Sequence, residues 1–165
     1  MQIRQIKAAD ANKFRKLVQQ VEAESDYMLY EAGERAINVE QQHAMIESIT
    51  EQPNAAIFLA EEETELVGYL IAVGGKTKRT RHSVYLVIGI LAGFRGRGVG
   101  TLLFQTMEAW AEEQGIHRLE LTVAVPNEGG LGLYKKSGFE IEGVKRNSLY
   151  INQRYVDEYF MAKLL

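Results

Sequence analysis

The sequence contains no cysteine and only two prolines among its 165 residues. Without cysteine, the chain has no disulfide framework, no catalytic thiol and no thiolate metal site. No apolar run approaches the roughly 20 residues of a membrane-spanning helix. The N-terminal residues also lack the apolar core and the cleavage site of a secretory signal. These absences predict a cytoplasmic protein without a membrane partner.

An excess of positive charge is also missing, because the net charge is −3 and the isoelectric point is about 5.7. This balance argues against a broad basic face that binds nucleic acid. An anionic ligand would therefore have to be bound by local positive charge. The length and the ordinary globular composition predict a single domain over residues 1–165. Histidines at H-x-x-x-H spacing are absent, so we predict no metal site.

A glycine-rich segment separates a predicted strand from a predicted helix near the middle of the chain. Residues 84–91 are mostly apolar and rich in β-branched side chains, as in a strand buried on both faces. Residues 101–114 place apolar side chains at helical spacing, and Gly115 follows as a predicted C-cap. Residues 95–100 between them read Arg-Gly-Arg-Gly-Val-Gly.

This segment is suited to binding a phosphate or a pyrophosphate. The first N–H groups of a helix have no intrahelical partner, and the helix dipole adds partial positive charge there. Glycines let the backbone approach a ligand closely, and Arg95 and Arg97 add formal positive charge. An ordinary glycine-rich turn without a ligand is the alternative.

The spacing of the glycines excludes some classes of phosphate-containing ligand. A nucleoside-triphosphate loop requires Lys-Ser or Lys-Thr after a glycine, and neither pair follows here. In a dinucleotide fingerprint Gly100 would come too early after Gly96 and Gly98. The pattern R-x-x-G-x-G at Arg95, Gly98 and Gly100 instead resembles the pyrophosphate-binding loop of the GCN5-related N-acetyltransferases (GNAT), which bind acetyl-coenzyme A.

A second motif strengthens this resemblance. The family signature N-x-x-[AG]-x-x-L-Y-x-x-x-G-F is matched at Asn127, Gly130, Leu133, Tyr134, Gly138 and Phe139. It follows the strand predicted after the long helix, and the periodicity of the whole chain predicts the element order βααβββαβαββ, a mixed α/β protein. The two motifs and this order together cover nearly the whole chain. The sequence is thus similar to the GNAT branch that acetylates ribosomal-protein alanine, amino acids and polyamines.

The resemblance implies a mostly antiparallel twisted sheet, flanked by helices, with a splayed central strand. It implies an acetyl-coenzyme A-dependent N-acetyltransferase that transfers the acetyl group directly to a primary amine of a small molecule or a protein N-terminus. Tyr134 would protonate the departing thiolate, and the N–H groups of Ile90 and Leu91 would bind the thioester carbonyl beside a bulge at Gly89. The implied cofactor-binding residues are Ile88, Gly89, Ile90, Leu91, Arg95, Gly96, Arg97, Gly98, Val99, Gly100, Thr101, Asn127, Gly130, Leu133 and Tyr134.

The general base is open at this stage, because residues 83–91 contain none of the carboxylates that many relatives place on the central strand. Glu31 and Glu34 in an aromatic, acidic connection are candidates, and Tyr85 or His82 could act through a water. Glu34 could equally form an exposed ion pair with Arg35. The missing carboxylate also leaves room for a non-catalytic acyl-coenzyme A binding module, and a plain interaction domain is a third possibility.

The predicted partners are acetyl-coenzyme A and an amine acceptor, without nucleic acid. The last two predicted strands are rich in aromatic residues, including Tyr150, Tyr155 and Phe160. They could form the edge of a homodimer or simply close the sheet.

Overall fold

The computed structural model describes residues 1–165. Its seven strands form one sheet in the order β1-β2-β3-β4-β5-β7-β6. The predicted order βααβββαβαββ is confirmed. The elements are β1 (Gln2–Gln5), α1 (Ala11–Glu24), α2 (Val39–Thr50), β2 (Ala55–Glu62), β3 (Glu65–Gly74), β4 (Ser83–Ile90), α3 (Val99–Glu113), β5 (Arg118–Ala124), α4 (Glu128–Lys136), β6 (Glu140–Ile151) and β7 (Arg154–Leu164).

The sheet is antiparallel except where β4 meets β5. These two strands run parallel, and they pair only between residues 83–85 and residues 118–120. The C-terminal half of β4 therefore has no partner strand on its β5 side, while it stays fully paired with β3 on the other side. The predicted splayed central strand is confirmed, and we call the resulting opening the β4–β5 gap.

Helices cover the two faces of the sheet unequally. The larger core lies between α3 and one face of the sheet and includes Leu70, Leu86 and Leu121. The smaller core packs α1 and α2 against β2 and β3 on the opposite face. We call these the α3 face and the α1 face. Because α1 and α2 stop short of β5, side chains of β4 such as Tyr85 and Val87 are exposed on the α1 face.

Three predictions concern membrane spans, metal binding and a homodimer edge. No helix combines the length and the apolar character that crossing a bilayer requires. No three His, Cys, Asp or Glu side chains are grouped so that they could hold a metal ion. In the β6–β7 hairpin, Tyr150 and Tyr155 are exposed, with ring centroids 5.1 Å apart. The homodimer edge stays a prediction.

Candidate functional site

The glycine-rich segment forms an open cradle of backbone N–H groups at the start of α3. Gly96 and Gly98 have φ values of 71° and 83°, a left-handed conformation that favours glycine. No atom lies within 4 Å of the position that a Cβ would take on either residue. The N–H groups of residues 96–101 donate to no backbone acceptor in the chain. This geometry fits an anionic ligand with several oxygens.

Both arginines of the segment lie beside the cradle. Arg95 donates from Nε to the carbonyl oxygen of Ile90 at 3.2 Å, which places its side chain next to the end of β4. The Arg97 guanidinium lies over the Phe94 ring, 4.7 Å from the centroid, and 3.3 Å from a carboxylate oxygen of Glu62. Because that ion pair is exposed, a phosphate can compete with Glu62 for Arg97 at little cost.

The two sequence motifs meet at this point. A Cβ on Gly100 would lie only 2.6 Å from Leu133 Cδ2, so α3 and α4 approach each other closely at this glycine. One turn further along α3, the Phe104 ring packs edge-on against the Tyr134 ring, with centroids 5.9 Å apart. The tyrosine of the second motif is thereby fixed against the helix whose N-terminus forms the cradle.

Asn127 caps α4 and keeps a free donor. Its Oδ1 accepts the N–H of Gly130 at 3.0 Å. A Cβ on Gly130 would lie 2.7 Å from Asn127 Nδ2, so glycine makes room for the folded-back cap. Asn127 can therefore cap α4 and also bind a ligand, because the Nδ2 group is not used by the cap.

The N–H groups that face the β4–β5 gap differ from those that the sequence predicts. Leu91 donates its N–H to the carbonyl oxygen of Val67 at 3.0 Å, on the β3 side. Because N–H directions alternate along an antiparallel strand, the free N–H groups in the gap belong to Ile88 and Ile90. The prediction that the Ile90 N–H is free to bind a carbonyl is compatible with this alternation. The same prediction for the Leu91 N–H is wrong, because that group bonds to β3.

The predicted bulge at Gly89 is also wrong. The pairing between β3 and β4 runs from Gly68 and Ile90 to Gly74 and Val84 without a shift in register. Glycine is required at position 89 for another reason. The space that its side chain would need is filled by the Tyr69 ring, whose nearest carbons lie 2.6 Å from the position of a Cβ.

Tyr134 stands beside the gap on the α3 face. Its half-buried ring contacts Phe104 and Phe139. Burial raises the pKa of the Tyr134 phenol above its usual value, and the neighbouring Tyr85 raises it further. The phenol is therefore protonated at neutral pH and can act as a hydrogen-bond donor.

The predicted acidic residues lie in the connection between α1 and α2. Glu31 and Glu34 are exposed, and the Glu34 carboxylate accepts the N–H of Glu31 at 2.8 Å. This local contact stabilises the connection between α1 and α2. Arg35 pairs with Glu22 of α1, so the predicted ion pair between Glu34 and Arg35 is wrong.

The two candidates for a water-mediated base are separated along β4. His82 precedes the strand, and at the usual rise per residue it lies about 20 Å from Ile88, too far to act through one water. Tyr85 instead extends across the junction of β4 and β5, where its hydroxyl lies 2.8 Å from Thr122 Oγ1. Tyr85 thus remains a candidate, and His82 does not.

Two elements contribute residues that sequence reasoning missed. Glu24, at the end of α1, accepts the N–H of Ala92 at 2.7 Å and so ties α1 to the turn after β4. This hydrogen bond lowers the pKa of Glu24. Tyr69 and Glu22 lie on β3 and α1, where they look like members of amphipathic elements. No sequence signal marks them, because their placement depends on contacts between distant segments.

The chemistry of this arrangement fits a pyrophosphate-containing thioester. The cradle supplies N–H donors and arginines for a diphosphate, and the gap supplies the free N–H groups of Ile88 and Ile90 for amide and thioester carbonyls. Tyr134, which packs against α3, supplies a hydroxyl donor. Negative charge that develops on a carbonyl oxygen in the gap would meet fixed donors without a charged side chain.

Comparisons with known proteins agree with this geometry. The family model "Acetyltransferase (GNAT) domain" matches residues 3–160. The L-amino acid N-acetyltransferase AaaT of Escherichia coli is 31% identical over 126 residues, which cover 74% of this chain and 76% of AaaT. A GNAT acetyltransferase structure from Streptococcus pneumoniae aligns with a TM-score of 0.95 at 28% identity, covering 99% of this chain and 98% of that one.

A third likeness concerns the fold alone. The structure of yncA from Salmonella typhimurium with its cofactor acetyl-CoA aligns with a TM-score of 0.89 at 18% identity, covering 100% of this chain and 94% of that one. The family model spans almost the whole chain, including the cradle, the gap and Tyr134. The chain therefore belongs to the GNAT family of N-acetyltransferases, enzymes that take an acetyl group from acetyl-coenzyme A.

Proposed function

We propose that the chain transfers the acetyl group of acetyl-coenzyme A directly to a primary amine, without a covalent enzyme intermediate. The observation that carries this proposal is the contact between the two motifs. Gly100 of the cradle adjoins Ile90 of β4 and Leu133 of α4, and Phe104 of α3 packs against the Tyr134 ring, which supports a common site beside the unpaired end of β4. No cysteine is available as a nucleophile, which supports direct attack by the amine.

Different residues bind different parts of the ligand. Acetyl-coenzyme A, when bound, supplies the acetyl group as a thioester. Residues 96–101 and Arg95 bind the pyrophosphate through backbone N–H groups and a guanidinium. The N–H groups of Ile88 and Ile90 bind carbonyl oxygens in the gap and stabilise the charge that develops there. As the C–N bond forms and the C–S bond breaks, Tyr134 would donate a hydrogen bond to the leaving sulfur, and the proton that the amine nitrogen loses would pass through solvent to coenzyme A, which leaves as its free thiol.

The acceptor is proposed to be an amino acid or another small amine, or the N-terminus of a protein. The relative AaaT is named for L-amino acids, and this chain aligns with three quarters of it. The acidic connection that contains Glu31 and Glu34 would suit a cationic acceptor. The cytoplasmic location and the absence of nucleic-acid partners stay predictions from the sequence.

Addition of an amine is expected to cause release of free coenzyme A in proportion to the amide formed. The measurement is a thiol assay on the full chain with acetyl-coenzyme A and a panel of L-alanine, L-phenylalanine, spermidine and an alanine-initiated peptide, with amide product identified by mass. Tight binding of coenzyme A without release in the presence of any amine would contradict the proposal and favour a binding module.

Replacing Glu31 and Glu34 with glutamine tests their role at the acceptor. If these carboxylates attract a cationic acceptor, each variant should raise KM for spermidine about two- to fivefold, as expected for the loss of an exposed charge contact. The KM for L-alanine, which has no net charge, should change less. Equal KM values for every amine in the wild type and both variants would remove these residues from the site.

A further inference from the structure

Tyr69 of β3 places a hydroxyl beside the central strand on the face opposite Tyr134. The residue is 1% exposed, and its ring packs edge-on against Phe14 of α1 with centroids 5.6 Å apart. Two ring carbons would lie 2.6 Å from a Cβ on Gly89, and the hydroxyl oxygen would lie 2.8 Å from it. The outer end of the phenol thus lies over the backbone of β4.

The direction of this side chain follows from the pairing of the strands. Tyr69 stands directly opposite Gly89 in the β3–β4 ladder, so a ring whose tip covers Gly89 leans away from β3 and toward the β4–β5 gap. The N–H groups of Ile88 and Ile90 point into the same gap. The Tyr69 hydroxyl therefore approaches the reaction site from the α1 face.

This hydroxyl has no partner within the protein. It forms no hydrogen bond with any backbone or side-chain group, although almost all buried hydroxyls in proteins do. Arg15 Nε is the only fully enclosed side-chain nitrogen or oxygen without a partner, so the Tyr69 oxygen is not fully enclosed. A buried ring whose hydroxyl is unpaired and not fully enclosed is suited to binding a ligand that arrives later.

Two charged residues lie near Tyr69 on the α1 face. Glu22 of α1 is 3% exposed and pairs with Arg35, whose guanidinium lies 4.4 Å from the centroid of the Tyr30 ring. Burial raises the pKa of the Tyr69 phenol, and the Glu22 carboxylate raises it further, while Arg35 lowers it. The phenol is therefore neutral, so it serves as a hydrogen-bond partner and not as a base.

We propose that the Tyr69 hydroxyl binds the amino group of the acceptor and orients its lone pair toward the carbonyl held by Ile88 and Ile90. This inference rests on the proposed acetyl transfer and assigns its acceptor side. The hydroxyl oxygen accepts one amine N–H, and the nitrogen then faces the gap. Tyr134 reaches the sulfur from the α3 face, so the two phenols contact opposite ends of the reacting group.

The test compares Tyr69→Phe with Tyr155→Phe, an equally small change in an exposed tyrosine of the β6–β7 hairpin. Phenylalanine keeps the ring contacts with Phe14 and Gly89 and removes only the hydroxyl. For the best amine of the panel above, kcat/KM at saturating acetyl-coenzyme A should fall about tenfold in Tyr69→Phe, the value of one lost hydrogen bond. Tyr155→Phe should match the wild type.

Three further readouts separate a contact with the acceptor from a structural role. Calorimetric affinity for coenzyme A, the slow hydrolysis of acetyl-coenzyme A without amine, and Tm should be the same in Tyr69→Phe and the wild type. Equal kcat/KM for amine in an active wild type and in Tyr69→Phe would overturn this proposal alone. So would a matching loss of coenzyme A affinity. A wild-type protein that acetylates no amine would overturn the proposed function as well.

Discussion

Replacing Tyr134 with phenylalanine is expected to lower kcat about 100-fold, the lower end of the range for loss of a general acid. The KM for acetyl-coenzyme A should stay close to the wild-type value, because phenylalanine keeps the ring contacts with Phe104 and Phe139. An interaction that forms only as the sulfur leaves affects kcat and not the binding of the ground state. Steady-state kinetics at saturating amine measure both constants.

The pKa of Tyr134 adds a pH dependence to this prediction. Because burial raises that pKa, the phenol keeps its proton well into the alkaline range. As the pH is raised to about 10, loss of this proton should therefore not lower the kcat of the wild type. The same shift makes the phenol a weaker acid than free tyrosine, which favours a hydrogen bond to the leaving sulfur over early proton transfer. Tyr150→Phe is the matched control on the exposed hairpin. A Tyr134→Phe variant with wild-type kcat would exclude the phenol from the reaction.

The sequence predicts the fold well because the local signals agree with one another. The apolar run of β4, the glycines after it and the helical spacing of α3 each depend on neighbouring residues only, and the structure confirms the order of all elements. The meeting of Gly100 with Leu133 follows the same logic, since both belong to motifs with a recognisable pattern. The cradle could therefore be placed before any contact was known.

The residues of β4 whose N–H groups face the gap could not be predicted in this way. Which N–H groups face the gap depends on whether odd or even residues bond to β3, and the bond from Leu91 to Val67 decides it. A shift of one residue exchanges the two sets, and the sequence of β4 is apolar on both sides. For this reason the sequence alone does not show that the N–H groups of Ile88 and Ile90, and not that of Leu91, face the gap.

The acceptor side is hidden from sequence for a related reason. Tyr69 belongs to an apolar strand, and Glu22 interrupts a helix face that is otherwise apolar, so neither stands out. Glu31 and Glu34 attract attention by composition, yet both are exposed, and Glu34 binds only the backbone of its own loop. Their role at the acceptor stays a prediction, which the glutamine variants test.

Substituting Gly89 with alanine is expected to lower the free energy of unfolding by about 1–3 kcal/mol, the usual cost of overpacking a core. The added methyl would meet the Tyr69 ring at 2.6 Å, and that ring is held by Phe14 and cannot swing away freely. The kcat/KM for the amine should also fall, by more than the loss of folded protein explains, because any shift of β4 moves the N–H groups of Ile88 and Ile90. Urea unfolding and amine kinetics measure the two effects.

Gly93→Ala is the control for this substitution, since no atom lies within 4 Å of its Cβ position and its φ is not positive. It should change neither unfolding nor turnover of the enzyme at saturating substrates. The double variant Gly89→Ala with Tyr69→Leu should recover part of the lost stability, because the shorter side chain no longer covers position 89. It should not recover activity, because the hydroxyl is gone. A Gly89→Ala protein as stable as Gly93→Ala would mean that the ring moves aside easily, and a phenol that mobile could not orient an amine.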